Sequence, residues 1–397
     1  MTQEFKTMLQ LFGANANGAE VSLSGELNIE KIRELSLAQG IWTMVYPELG
    51  RFRDATQYKP EFLMMVSKNM TQKAFTFSVI QKLEAAGITC CLLKGAGVES
   101  LYQHPECRVS SDVDVLIAPH EEERAKILLQ ELGYTVKERP KNHHHMIAYH
   151  PAGGILEVHV SLYDAATEKI LFNGKRLCTE PWETIEIQGK PYHVLRLKDN
   201  LMYLTAHYIK HLVNSGGGVR QMMDLLLFLE HNKDRIDFES YDAILKELRY
   251  DKLIDVVKTI GAKYFGFDYP IKEEALAERV LTDTEMGGIF GHSAKNRGGF
   301  YEAYCQRRTA MSTARMRLFM QVKSETKKKL FPSQRSLIEG YGYEYAKHKV
   351  LIPVAWVHRY VDVVLGTRKP KIAIKDTPEF VERMQLMKDL GMIDKEE

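Results

Sequence analysis

Leu92-Leu93-Lys94-Gly95-Ala96-Gly97, followed by Ser110-Ser111-Asp112-Val113-Asp114-Val115-Leu116-Ile117, is the stretch on which the reading of this chain turns. Side chains alternate along a β-strand, so Asp112 and Asp114 share one face while Val113 and Val115 share the other. A hydrophobic core accounts for the valine side. The carboxylate side needs another reason, because two acids on one face repel unless a cation lies between them. Magnesium or manganese, hard divalent ions that take oxygen ligands, are the expected counter-charge.

Upstream, Ile88 to Leu93 is an apolar run rich in β-formers and reads as a buried strand. Lys94-Gly95-Ala96-Gly97 ends it, and Val98 to Tyr102 starts a helix. Strand, glycine turn and helix together offer backbone N–H groups to a phosphate, with Lys94 adding charge. The G-x-x-x-x-G-K-[ST] spacing of a P-loop is absent. Downstream, Glu121 to Leu132 is an amphipathic helix closed by Gly133. Strands follow at Tyr134–Lys137, Met146–Tyr149 and Ile155–Val160, then a hairpin from Thr184–Ile187 and Tyr192–Leu195. Within Ile155–Val160 alternation puts Glu157 and His159 on one face. If that strand lies beside Asp112–Asp114, three carboxylates converge. Such a patch suits two divalent ions about 3.5–4 Å apart, an arrangement that serves in-line phosphoryl transfer.

The flanks read as helical. Leu27–Leu49 and Glu61–Ala86 carry apolar residues at three- and four-residue spacing, with Asn28 as a cap, Glu30 in the first turn and Gly87 as a terminator. After Lys198 come helices at Leu201–Val213 and Gln221–Glu230, at least one more within Tyr241–Phe265, and a flexible link at Asn214–Gly218. His207, Lys210 and His211 share one helix face, which lies either over the active cleft or in solvent, the solvated face being the favoured reading. Arg220 and Asp224, four apart, are expected to pair. His143-His144-His145 invites a metal reading, yet neighbours on a strand point to opposite faces and chelate poorly together. Arg307 to Lys329 holds eight basic residues and one acid, Glu325. It is a solvated helix face or a surface for nucleic acid or another anion. Leu351–Leu365 is an apolar helix, and the charged stretch from Gly366 is expected to be partly mobile. The division that follows is an N-terminal helical lobe (1–86), an α/β core (87–196) and a C-terminal helical lobe (197–397). The class is α+β, with a small mixed β-sheet.

At 397 residues the chain exceeds one typical core, and 45% hydrophobic residues suffice to fill more than one. A net charge of +2 rules out a polyanion binder by bulk charge alone. The five cysteines form no C-x-x-C pair, and Cys90-Cys91 sit in an apolar run, so reduced thiols are expected rather than a zinc site. The first residues lack a secretory pattern. No run reaches the roughly 18 apolar residues of a membrane span, so a soluble cytoplasmic protein is expected.

The order Lys-Gly, Arg, Asp-x-Asp, Gly-Tyr, Glu-x-His is carried by Lys94-Gly95, Arg108, Asp112–Asp114, Gly133-Tyr134 and Glu157–His159. It resembles the nucleotidyltransferases of the DNA polymerase beta superfamily, most of all the bacterial branch labelled "nucleotidyltransferase family protein". The resemblance runs from Leu92 to Leu162, and more weakly to His207, Arg220–Asp224 and Phe331-Pro332-Ser333. It implies a nucleotidyltransferase core that moves an NMP from an NTP, ATP among them, to a hydroxyl-bearing acceptor and releases pyrophosphate. Asp112, Asp114 and Glu157 would be the catalytic acids and the ligands of magnesium or manganese. Lys94, Gly95, Ala96 and Gly97 would hold phosphate. Arg108, Ser111, His159 and Asp224 are further candidates for the nucleotide pocket. Two departures stand out: Ala96 replaces the superfamily's usual serine, and the gap from Gly95 to Asp112 is long. The acceptor is open: a small molecule, a saccharide, a protein side chain or an RNA end. Two other readings compete. A metal-dependent glycosyltransferase also uses Asp-x-Asp but needs parallel strands before the motif. A non-catalytic nucleotide-binding or interaction module has no use for three repelling acids.

Overall fold

The computed structural model describes residues 1–21, 23, 27–139, 143–173, 182–187, 189–287, 304, 334, 337–338, 343–365 and 378–393. The chain separates into two compact units, Met1–Arg297 with Asp389–Gly391 and Gly298–Lys388 with Met392–Glu397. The mixed sheet lies in the first. Its strands are β1 (Cys91–Leu93), β2 (Asp112–Leu116), β3 (Thr135–Lys137), β4 (His145–His150), β5 (Gly154–His159), β6 (Glu183–Ile187) and β7 (Lys190–Val194), in the order β3-β4-β5-β2-β1-β7-β6. β2 runs antiparallel to β1 and parallel to β5, and β1 runs parallel to β7. β4 and β5 form an antiparallel hairpin, as do β6 and β7.

The two faces of this sheet differ as the alternation predicts. Val113, Val115, Leu156, Val158, Met146 and Ala148 are buried in one core. Two helices cover it: α4 (Lys59–Ala85) through Phe77, Ile80 and Leu83, and α6 (Glu122–Glu131) through Ala125 and Leu129. Each such aliphatic side chain contributes about 1.5–3 kcal/mol by leaving water. A one-residue slip of β2 would drive Asp114 into that core, so burial fixes the register and keeps the acids on the opposite face.

Three helices precede α4: α1 (Gln3–Asn17), α2 (Ile29–Ala38) and α3 (Trp42–Leu49). The stretch Leu27–Leu49 is thus two helices, broken where Gly40 takes a φ of +64°. Asn28 caps α2 as expected, its Oδ1 accepting from the Lys31 N–H at 3.0 Å. α4 ends at a left-handed Gly87, with Ile88 N–H returning to Leu83 O at 3.0 Å. β1 is shorter than the apolar run Ile88–Leu93 because Cys91 already pairs with Leu116, the last residue of β2.

After β1 the chain enters α5 (Lys94–Val98), and after β5 it enters α7 (Ala165–Phe172). Beyond the sheet lie α8 (Leu197–Ser215), α9 (Val219–His231), α10 (Phe238–Leu248), α11 (Asp251–Tyr264) and α12 (Glu274–Gly287). The link between α8 and α9, expected to be flexible, is a buried turn in which Gly216 and Gly217 adopt φ of +99° and +68°. In the second unit, α13 (Ile352–Leu365) matches the apolar helix expected there. α14 (Pro378–Asp389) falls in the stretch expected to be partly mobile and buries Phe380, Met384 and Met387. Arg307–Lys329 and Phe331-Pro332-Ser333 lie outside the described residues. Among the described residues no helix is long and apolar enough to cross a membrane. Cys90, Cys91 and Cys107 are free, buried thiols.

Candidate active site

The parallel pairing of β2 with β5 sets Asp114 directly beside Glu157. On the other side Leu93, the last residue of β1, pairs with Asp114, and Lys94 follows it. Lys94 Nζ donates to Asp114 Oδ1 at 2.7 Å and stands 4.0 Å from Glu157 Oε2. His159 Nε2 lies 2.9 Å from Asp114 Oδ1 and 3.5 Å from Glu157 Oε2. Asp112, one pleat away on the same face, accepts at Oδ1 from Ser110 Oγ (3.0 Å) and from the exposed Ser111 Oγ (3.4 Å).

These acids are unequally served. Burial disfavours the charged form of Asp114, but Lys94 and then His159 outweigh it and hold the carboxyl well below its ordinary range. Among the described residues no cation pairs directly with Asp112. Burial, then the charges of Asp114 and Glu157, push its pKa up. Burial also opposes the Lys94 ammonium, yet Asp114 and Glu157 raise its pKa. The Lys94 ammonium therefore serves a patch of three carboxylates. Lys94 adopts a φ of +47°, a conformation that costs a non-glycine residue about 1–2 kcal/mol. The ion pair to Asp114 offsets that cost.

The glycine turn is built around Arg108. Its guanidinium, 3% exposed, donates from Nε and Nη2 to the two oxygens of Asp224 (3.0 and 2.7 Å), which is 4% exposed. Tyr102 donates its hydroxyl to the same carboxylate at 2.6 Å. Asp224 therefore pairs with Arg108, and the expected Arg220–Asp224 partnership gives way. Arg220 Nη1 instead donates to the Val109 carbonyl at 2.7 Å. The third corner of Arg108, Nη1, is buried without a hydrogen-bond partner. A Cβ at Gly95 would sit 2.5 Å from that atom. Glycine is thus required for the guanidinium to approach the turn. Ala96 turns its methyl into the core, so a side-chain hydroxyl there would face apolar neighbours. Gly97 would place a Cβ 3.4 Å from Leu92 O, an ordinary contact. α5 spans five residues, too short to lend the macrodipole on which a helix-terminus phosphate site relies. Side-chain cations are the stronger attraction here.

Of the two readings of the polar α8 face, over the cleft or in solvent, the less favoured one holds. His207, Lys210 and His211 on α8 are half-buried. Burial, then the neighbouring His211 and Lys94, press His207 well below its ordinary pKa. Burial and the adjacent Lys210 take His211 down to about 3. Lys210 is lowered by burial and by Lys94. The periodicity rule equates a polar face with water, but this polar face packs over the acid face of a sheet. Lys73 projects from the middle of α4, where nothing local in the sequence marks it as a site residue. Its Nζ pairs with Glu99 and donates to the Arg108 carbonyl at 2.9 Å. The objection to the histidine run also fails for one pair. His144 lies in a bend before β4 begins at His145, so strand alternation does not separate them, and their ring centroids are 4.7 Å apart.

Asp114, Glu157 and His159 each offer a ligand atom within 4.8 Å of the others, and Asp112 adds an acid already strained by its neighbours' charge. Oxygen donors in excess of cations fit a divalent ion.

A family model described as "Uncharacterised nucleotidyltransferase" matches residues 28–266, more than half of the chain. Among curated proteins none matches. Two solved structures are similar in part. The solution structure of the antibiotic-resistance factor ANT(2'')-Ia is 12% identical, with a TM-score of 0.33 over 45% of this chain and 97% of that one. An antigenic nucleotidyltransferase-like protein from Paracoccidioides brasiliensis is 18% identical, with a TM-score of 0.28 over 41% of this chain and 76% of the other.

Proposed function

The chain belongs to a family of uncharacterised nucleotidyltransferases, and on that premise we propose that this site transfers an NMP from an NTP to a hydroxyl-bearing acceptor. The acceptor oxygen bonds to the α-phosphorus, the bond to the β-phosphate oxygen breaks, and its electron pair leaves with pyrophosphate. The hydroxyl proton is released. The observation that carries the reading is Asp114 paired in register with Glu157 on one sheet face, Asp112 beside them and Lys94 between.

Asp112, Asp114 and Glu157 would hold magnesium or manganese. When bound, such ions neutralise charge on the triphosphate and lower the pKa of the acceptor hydroxyl. The protein's own part is positioning and fixed charge. Lys94 and Lys210 supply positive charge opposite the acids. The unpartnered Nη1 of Arg108, held beside Gly95 by Asp224, is a preformed donor for a phosphate oxygen. Ser111 and His159 lie close enough to the acids to orient the nucleotide or the acceptor. A glycosyltransferase built on Asp-x-Asp would place parallel strands before the motif, and the helices α1–α4 stand there instead.

The purified protein with magnesium, α-labelled NTPs and a lysate as source of acceptor should transfer label. Asp112→Ala/Asp114→Ala should reduce transfer by at least about 100-fold, the scale on which removing electrostatic stabilisation acts. Wild-type protein that neither transfers label nor is stabilised by any of the four NTPs with magnesium would refute the proposal. Fractionating the labelled product then decides between small molecule, saccharide, protein and RNA end.

A further inference from the structure

His145 and His159 are cross-strand partners in the β4–β5 hairpin, so their rings meet on the acid face, 5.0 Å apart by centroid. His144 joins them because Val160 N–H donates to the His144 carbonyl at 2.9 Å, pinning the bend against the end of β5. Its ring centroid lies 5.3 Å from that of His159. Each of the three offers a nitrogen within 4.8 Å of the others. The rings are well enclosed, His159 at 1% and His144 at 8% exposure. Nδ1 of His145 and Nδ1 of His159 are both buried with no hydrogen-bond partner. An orphaned buried polar atom costs about 1–3 kcal/mol, and two in one cluster call for an occupant.

We infer that His144, His145 and His159 form a binding site for one borderline transition-metal ion of the zinc class, flanking the acid site. Imidazole nitrogens suit zinc, cobalt or nickel and suit magnesium poorly. Glu157 Oε2 stands 3.9 Å from His145 Nε2 and 3.5 Å from His159 Nε2, on the ring edges opposite the orphaned Nδ1 atoms, where it orients both imidazoles. Behind His144, Asp164 Oδ2 stands 3.9 Å from Nδ1, and that carboxylate is itself fixed by Thr167 N (2.9 Å) and Oγ1 (2.8 Å). A carboxylate behind a ligating imidazole sets its orientation. Zinc–nitrogen bonds of about 2.1 Å in a tetrahedron separate donor atoms by roughly 3.4 Å, so small ring rotations close the site. The ion's selectivity differs from that of the oxygen-rich set formed by Asp112, Asp114 and Glu157.

The test is a cobalt titration of the full-length, EDTA-stripped protein without nucleotide. Visible bands of tetrahedral cobalt should saturate at one ion per chain, vanish on adding zinc and persist in millimolar magnesium. His144→Gln and His145→Gln should each weaken binding by at least about tenfold, whereas His143→Gln on the exposed side should leave the titration unchanged. If the two variants fold poorly, X-ray absorption of zinc-loaded wild type decides: imidazole scattering supports the site, and a shell of oxygen alone or one containing sulfur overturns it. Absence of cobalt uptake, or uptake indifferent to both substitutions, also overturns it. Label transfer enters none of these readouts, so nucleotidyl transfer and the ion site stand or fall separately.

Discussion

Replacing Asp224 with Asn tests whether the glycine turn rests on a buried ion pair. In the wild type one carboxylate accepts three hydrogen bonds, two from Arg108 and one from Tyr102, with both charged partners nearly sealed from water. Asn keeps the shape but leaves the guanidinium without a counter-charge in a region where Arg220 is already depressed by burial and by Arg108. Breaking a buried pair from one side costs about 3–5 kcal/mol. Against a total stability of roughly 5–15 kcal/mol, that should lower Tm by about 5–15 °C. Tyr102→Phe removes one hydrogen bond to the same carboxylate and should cost about 1.5–3 kcal/mol. The decisive variant is Arg108→Met/Asp224→Leu, which removes both charges and should be more stable than Asp224→Asn alone. Urea unfolding followed by circular dichroism measures all three. If Asp224→Asn unfolds within 1 kcal/mol of wild type, or the double variant is the weakest of the set, the ion pair is not what holds the turn.

Gly95→Ala should destabilise by about 1–3 kcal/mol and weaken NTP binding, because the new methyl meets an Arg108 guanidinium that Asp224 holds in place; a thermal melt and an NTP titration check both. Asp112→Asn should raise Tm in metal-free buffer by relieving repulsion from Asp114 and Glu157, while abolishing label transfer; a fall in Tm would contradict the crowded-charge account. Lys94→Met should move the acid-unfolding midpoint to higher pH. Asp114 has a depressed folded pKa, so its contribution exists above the ordinary carboxylate value and disappears as pH falls through the depressed one; without Lys94 that loss begins earlier. An unchanged midpoint in an acid titration would refute the coupling.

The acid face was legible because two local rules sufficed for it. Alternation assigned Asp112, Asp114, Glu157 and His159 to faces, and burial of Val113, Val115, Leu156 and Val158 left only one register. What resisted was set by partners distant in sequence. The rule that i and i+4 residues pair linked Arg220 to Asp224, but Arg108, on the loop before β2, offers a bidentate fork and takes the carboxylate. Polar spacing on α8 suggested a wet surface, since nothing local tells a residue that it will lie over acids rather than water. His144 was judged as a strand residue, and a single bend one position before β4 changes which way its ring points.

The charges around the site form a pattern that neither a core nor a solvated surface explains. Asp224 is neutralised by Arg108, and Glu99 by Lys73. Asp112, Asp114 and Glu157 share the bridging Lys94 ammonium, while Lys210 and Arg220 stand on the other side. Lys210 and Arg220 are both pressed toward their neutral forms by burial and by neighbouring cations, as Asp112 is by burial and neighbouring acids. Holding Lys210 and Arg220 apart from Asp112 costs stability on both sides, and further salt bridges beside Lys94–Asp114 would be the simpler arrangement. A ligand that is both polyanionic and cation-laden relieves both costs at once: its phosphates meet the lysines and arginines, and its divalent ions meet the acids. A metal–nucleoside triphosphate has that composition. The strain in the free protein is therefore expected to appear as an unusually large stabilisation when nucleotide and metal bind together, exceeding the sum of their separate effects.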